Sequence, residues 1–223
     1  MNNPLNLDIR QQAFQLGSSY INKTISTNRF ESLRRYFQID NIYLIKKLLL
    51  ILYPYSHNAW AATTTRDSMN AAIYTPDLYI PLMAAVTYIL FLAGELEIQN
   101  KFKPEILGKL TSKAIILDFL EVVLVKGMSF FFEARDMEFL DILSFVGYKY
   151  VPLVIMKTCA LFLNALLRKL VWVALLASFI LFHGKSLKYF LISDNAVIDV
   201  KKKRMYFLVI AVMIDLLIMV ILK

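Results

Sequence analysis

Residues 75–94 read TPDLYIPLMAAVTYILFLAG, and no charged residue lies between Asp77 and Glu95. An apolar run of this length is enough to carry a helix across a hydrocarbon core roughly 30 Å thick, for which about 17–25 residues suffice. The start of the run looks like a helix start. Thr75 can cap free backbone N–H groups, Pro76 loses nothing at a first helical position, and Asp77 suits the positive end of the helix. Pro81 complicates this, because a helix that begins at Pro76 would lose a hydrogen bond there and kink, whereas a start at Ile80 avoids the problem. Both registers remain open on the sequence.

Similar stretches recur outward from this one. Apolar segments cover about 106–125, 140–167, 170–190 (strongly apolar only as far as Phe182) and 205–222. The third is longer than a crossing needs and is expected to tilt. The stretch EARDME (133–138) separates the second from the third, and Arg168-Lys169 forms the short connection from the third to the fourth. The whole chain is 58% hydrophobic and 19% charged, with a mean hydropathy of +0.56, more apolar than the roughly 45–50% usage of soluble domains. The expected fold class is therefore all-α, a polytopic integral membrane protein with a bundle of five transmembrane helices over 77–222.

Residues 1–76 read as a cytosolic N-terminal segment. Its opening, MNNPLNLDIRQQAFQ, has no basic start followed by an apolar stretch and a cleavage site, so no removable leader is expected. An amphipathic helix is expected near 33–53. Its apolar part, 43–53, is broken by Lys46 and Lys47, ends at Pro54 and is too short to span. It can lie at the membrane interface with its lysines reaching the headgroups, or pack on the top of the bundle, and the pattern does not separate the two. The polar stretch 57–70 reads as a loop.

Lysine and arginine set the orientation, since they are retained on the cytoplasmic side. Lys201, Lys202, Lys203 and Arg204 abut the fifth segment, and Lys185 and Lys188 follow the fourth. Counting back from a cytosolic loop between them puts the N-terminus in the cytosol. Lys101, Lys103, Lys109 and Lys113 run against that count. The net charge of +8 lies beside apolar segments, which favours a lipid bilayer with anionic headgroups and argues against nucleic acid.

Ionisable residues inside apolar segments suggest function by default. Asp118 and Glu121 share a face of the second segment, and Lys149 and Lys157 broadly share one on the third. They make either an ion path or interhelical pairs. Asp215 in the fifth has no obvious partner in the sequence. No catalytic, cofactor-binding or metal site is expected. Motifs of the GxSxG, HExxH, GxxxxGK[ST] and GxGxxG kind are absent, the two histidines lie in different segments, and Cys159 is the single cysteine.

The stretches LGSSYINKTI (16–25), LRRYFQIDNIYLIKKLLLILYPY (33–55), TPDLYIPLMAAVTYIL (75–90), KFKPEILG (101–108) and VGYKYV (146–151) occur in this order. Together they resemble the Yip-interacting-factor (Yif, or Hrf-type) family of Yip-domain proteins. The resemblance implies a non-enzymatic adaptor of vesicle transport between endoplasmic reticulum and Golgi, a multi-pass protein of both membranes with a cytosolic N-terminus. Its implied partners are a Yip-type membrane protein in a hetero-oligomer, Rab-type small GTPases and COP-II vesicle components. Asp77, Leu78, Tyr79, Ile80 and Pro81 match one family motif, and Gly147, Tyr148, Lys149 and Tyr150 another. They serve either partner contact or helix packing. The alternative function is a small transporter or ion path using Asp118, Glu121, Lys149 and Lys157.

Overall fold

The computed structural model describes residues 34, 36–37, 39–55, 75–132, 137–191 and 198–222, without the side chains of 189–191 and 198. The chain divides into two compact units, Met1–Gln38 and Ile39–Lys223. In the first, the described residues 34, 36 and 37 are helical. The loop expected at 57–70 and most of the segment 1–38 lie outside the described residues.

Every regular element described in the second unit is an α-helix. They are α1 (Asn41–Leu52), α2 (Tyr79–Ile98), α3 (Pro104–Phe131), α4 (Phe139–Gly147), α5 (Tyr150–Phe162), α6 (Ala165–Leu191) and α7 (Ile198–Leu222). Four stretches are long and apolar enough to cross a membrane: Tyr79–Ile98, Phe139–Phe162, Ala165–Lys188 and Asp199–Leu222. The second of these joins α4 to α5 through Tyr148 and Lys149, whose backbones stay close to helical. α3 is not among the four. At about 1.5 Å per residue it is long enough, but Asp118, Glu121 and Lys126 interrupt its apolar half.

Local chemistry explains the boundaries. α2 begins at Tyr79, and Asp77 rather than Thr75 supplies the cap, its Oδ1 accepting from Ile80 N at 3.0 Å. Pro81 is then the third helical residue, where the N–H has no intrahelical acceptor anyway, so it neither kinks the helix nor costs a bond. Beyond the end of α2 at Ile98, Asn100 takes a left-handed φ of 54°, a conformation asparagine tolerates better than most residues. Lys101 N then closes onto Leu96 O at 2.9 Å. Pro104 opens α3 after an extended Lys103, and α4 starts with a capping box between Glu138 and Asp141.

The turn expected at Arg168-Lys169 lies earlier. The chain breaks at Leu163 and Asn164, and Arg168 and Lys169 fall inside α6. Asparagine just before a helix is a favoured start residue, and that signal outweighs the charged dipeptide, which a helix accommodates at its surface.

α2 and α5 run parallel and in contact, with Pro81 beside Gly147 at one end and Glu95 beside Lys157 at the other. α3, α6 and α7 close the bundle around Phe179, Phe182, Phe207, Ile142 and Leu153, all buried. Leu82, Val86 and Leu90 of α2 are exposed, as are Val209, Met213, Leu217 and Val220 of α7. Apolar stripes at helical spacing facing outward suit a lipid surround and would be a liability in water. α1 packs one face on α6 and α5 and leaves Ile42, Ile45 and Leu49 exposed.

Candidate functional site

The two motif stretches, more than sixty residues apart in sequence, meet at one end of the bundle. Asp77 stands at the centre of that meeting. Its Oδ2 accepts from the Tyr148 hydroxyl at 2.6 Å and from the Tyr43 hydroxyl at 3.1 Å, while its own N–H donates to the Tyr148 oxygen at 3.0 Å. Lys47 approaches the same oxygen at 3.8 Å and donates to Thr75 O at 2.9 Å. Its ammonium also lies 5.2 Å from the centre of the Tyr148 ring, within cation–π range. Tyr43 and Lys47 are four apart on one face of α1, so a single turn of that helix is bound to the start of α2.

Lys47 is only 2% exposed, turned into the bundle, while Lys46 is exposed. Burial pushes the Lys47 ammonium down to about 8, with the Asp77 charge opposing that effect but not matching it. Burial also pushes the Tyr43 phenol up, reinforced by the Asp77 charge and the hydrogen bond to it. Leu78 and Ile80 are buried and Tyr79 is half-buried. Gly147 packs so tightly on Pro81 that a Cβ built on the glycine would fall 2.5 Å from the proline Cβ.

Lys149 and Tyr150 turn the other way. Lys149 is wholly buried and pairs with Glu121, and with Asp118 at 2.7 Å. The Tyr150 hydroxyl donates to Asp118 Oδ2 at 2.5 Å. Asp215, for which the sequence offers no partner, faces the interior at 2.9 Å from His183 Nε2. Thus α3, α5, α6 and α7 each contribute to one buried polar cluster. Glu121 Oε1, Asp215 Oδ1 and His183 Nδ1 have no hydrogen-bond partner there.

Lys157 does not join the cluster. Eight residues further along the span than Lys149, Lys157 lies against α2 and donates to Glu95 Oε2 at 2.8 Å. The shared lysine face expected from spacing divides into two separate pairs. Four residues that matter were missed as members of these sites: Tyr43, Lys47, His183 and Glu95. For Tyr43 and Lys47 the signal was their four-residue spacing. For His183 and Glu95 no local pattern points to the partner. Among the described residues no group of three or more His, Cys, Asp or Glu is placed to hold a metal ion.

A family model described as YIF1 matches residues 2–223. The protein transport protein yif1 of Schizosaccharomyces pombe is 32% identical over 229 residues, covering 89% of this chain and 76% of that protein. Protein YIF1A of Danio rerio is 38% identical over 152 residues, covering 65% of this chain and 49% of that protein. The protein transport protein YIF1 of Saccharomyces cerevisiae is 28% identical over 217 residues, covering 84% and 68%. The matched stretch thus spans about half the length of the zebrafish relative. No solved structure matches.

Proposed function

Because the chain belongs to the YIF1 family, we propose that it is a non-enzymatic membrane adaptor of vesicle transport between endoplasmic reticulum and Golgi. In this reading the five-helix bundle, with α3 as the additional crossing, pairs with a Yip-type membrane protein. The segment 1–76 faces the cytosol, receives a Rab-type GTPase, and brings the assembly to COP-II vesicle components. The family match over 2–223, together with the similarity to relatives named as transport proteins, carries the proposal. The Asp77 junction supports it physically. It ties α1, the last described helix of the segment 1–76, to the start of the membrane bundle, so a partner held by that segment is mechanically coupled to the spans.

Purification of the full chain in mild detergent tests this directly. A Yip-type protein and a Rab-type GTPase are expected to co-purify, and recovery of neither overturns the adaptor reading. Protease added outside intact microsomes should remove the segment 1–76. Protection of that segment removes the GTPase part of the proposal.

The unpartnered carboxylate oxygens of Glu121 and Asp215 favour one second reading, an ion path through the cluster. It proceeds without Lys157, which is committed to Glu95. Proton flux into liposomes, abolished by Asp118→Asn, would support it, and flux no greater than in empty liposomes would end it.

A further inference from the structure

A groove of about 550 Å³ runs between the C-terminal half of α2, the end of α5 and the first turn of α6, and Leu90, Gly94, Leu161 and Arg168 line it. Three observations bear on its occupant. First, Leu90 is 66% and Leu161 47% exposed, so the groove continues the apolar surface that the spans present to lipid. Second, Gly94 keeps its floor open, since a Cβ there would meet nothing within 4 Å. Third, one end of the groove is cationic. Lys157 is neutralised there by Glu95 at 2.8 Å, but Arg168 makes no ion pair with any described residue.

We propose that this groove binds one glycerophospholipid, an acyl chain lying along Leu90, Gly94 and Leu161 and the phosphodiester on the Arg168 guanidinium. An apolar channel open to the bilayer and closed by an uncompensated guanidinium asks for a ligand that is an alkyl chain at one end and an anion at the other. A guanidinium meets two phosphate oxygens at once, which fixes the headgroup as well as attracting it. The volume lies within the roughly 300–1,000 Å³ of small-molecule sites. A helix from another membrane protein fits less well, because it is about 10–12 Å across and its own backbone offers no phosphodiester for a two-point contact with Arg168. The inference stands apart from the transport reading and holds or fails without it.

Native mass spectrometry of the full chain, delipidated in mild detergent, measures the site. Phosphatidylinositol is titrated alongside a diacylglycerol with the same acyl chains, and inorganic phosphate is added as competitor. One phosphatidylinositol should bind, more tightly than the diacylglycerol, and phosphate should not displace it. Arg168→Gln removes a charge-assisted contact and should weaken phosphatidylinositol roughly tenfold while leaving the diacylglycerol unchanged. Gly94→Leu fills the channel from a position where the new side chain meets open space, and leucine favours a helix more than glycine does. This variant should weaken both lipids. Equal binding of the two lipids, wild-type binding by both variants, or displacement by inorganic phosphate overturns the proposal. So does a photo-crosslinker at Leu90 that yields adducts with a protein rather than with lipid in native membranes.

Discussion

At the scale of single residues, Asp77 does more than any neighbour. It caps α2 through one carboxylate oxygen and takes two tyrosine hydroxyls on the other. Asp77→Ala removes a cap, a loss of about 1 kcal/mol, and leaves the proton of the buried Tyr148 hydroxyl only the Asp77 carbonyl at 3.4 Å, which adds about 1 kcal/mol. Asp77→Asn keeps one acceptor oxygen, enough for the cap, and turns an NH2 donor toward the tyrosine oxygens, so it should cost less than alanine. Thermal unfolding in detergent separates the two, and equal Tm values for both variants would contradict the hub. Lys47 presents the reverse case. Its folded-state value of about 8 lies below the unfolded 10.5, so the unfolded chain holds the proton more tightly between those values. The burial penalty is therefore constant below pH 8 and is relieved as pH rises toward 10.5. Stability should climb by roughly 1–2 kcal/mol from pH 8 to about pH 9.5. Lys47→Met should lose that climb and be less stable than wild type near neutrality, because it leaves Asp77 buried without the Lys47 cation and takes a donor from Thr75 O. A wild-type profile that stays flat, or falls, over this interval would refute the assignment.

Among helices, the contact of α2 with the α4–α5 junction depends on one missing methyl group. Gly147→Ala places a Cβ 2.5 Å from that of Pro81, and neither atom belongs to a flexible side chain. The overlap should cost about 1–3 kcal/mol. Pro81→Gly removes the opposing carbon, so the double variant Pro81→Gly, Gly147→Ala should recover part of the loss. Simple additivity of the two single effects would mean that the helices do not meet there. This pair also shows what the sequence made legible. The apolar runs revealed the spans because a bilayer core imposes a length, and the motif stretches marked both partners of the contact. They did not mark the contact itself, which arises from two parallel helices brought together by everything packed around them. The end of the 139–162 span was misread for a related reason. Hydropathy does not register a turn between two apolar helices, and only Asn164 marks it.

Across the whole molecule, the buried cluster is where sequence reasoning reached least far. Asp118 with Glu121 was legible as a helical pair, and a lysine counterpart was expected. The spacing rule covers one helix, however, whereas the pairing of Lys149 with α3 and of His183 with Asp215 is decided by the order in which four helices pack. That arrangement makes a prediction that distinguishes a structural lock from a working site. Lys149→Met leaves Glu121 buried without its cation and should cost about 3–5 kcal/mol, whereas replacing both charges with apolar side chains is often neutral or better. Lys149→Met combined with Glu121→Leu should therefore recover most of the Tm lost by the single variant. Failure of the double variant to recover would mean that other members of the cluster, Asp118 or Asp215, depend on Lys149 as much as Glu121 does. The recovered protein then separates the two roles. A lock requires only that the helices stay together, so the double variant should still capture the partners that wild type captures in detergent. Restored stability with lost capture would instead assign the charges themselves a part in function.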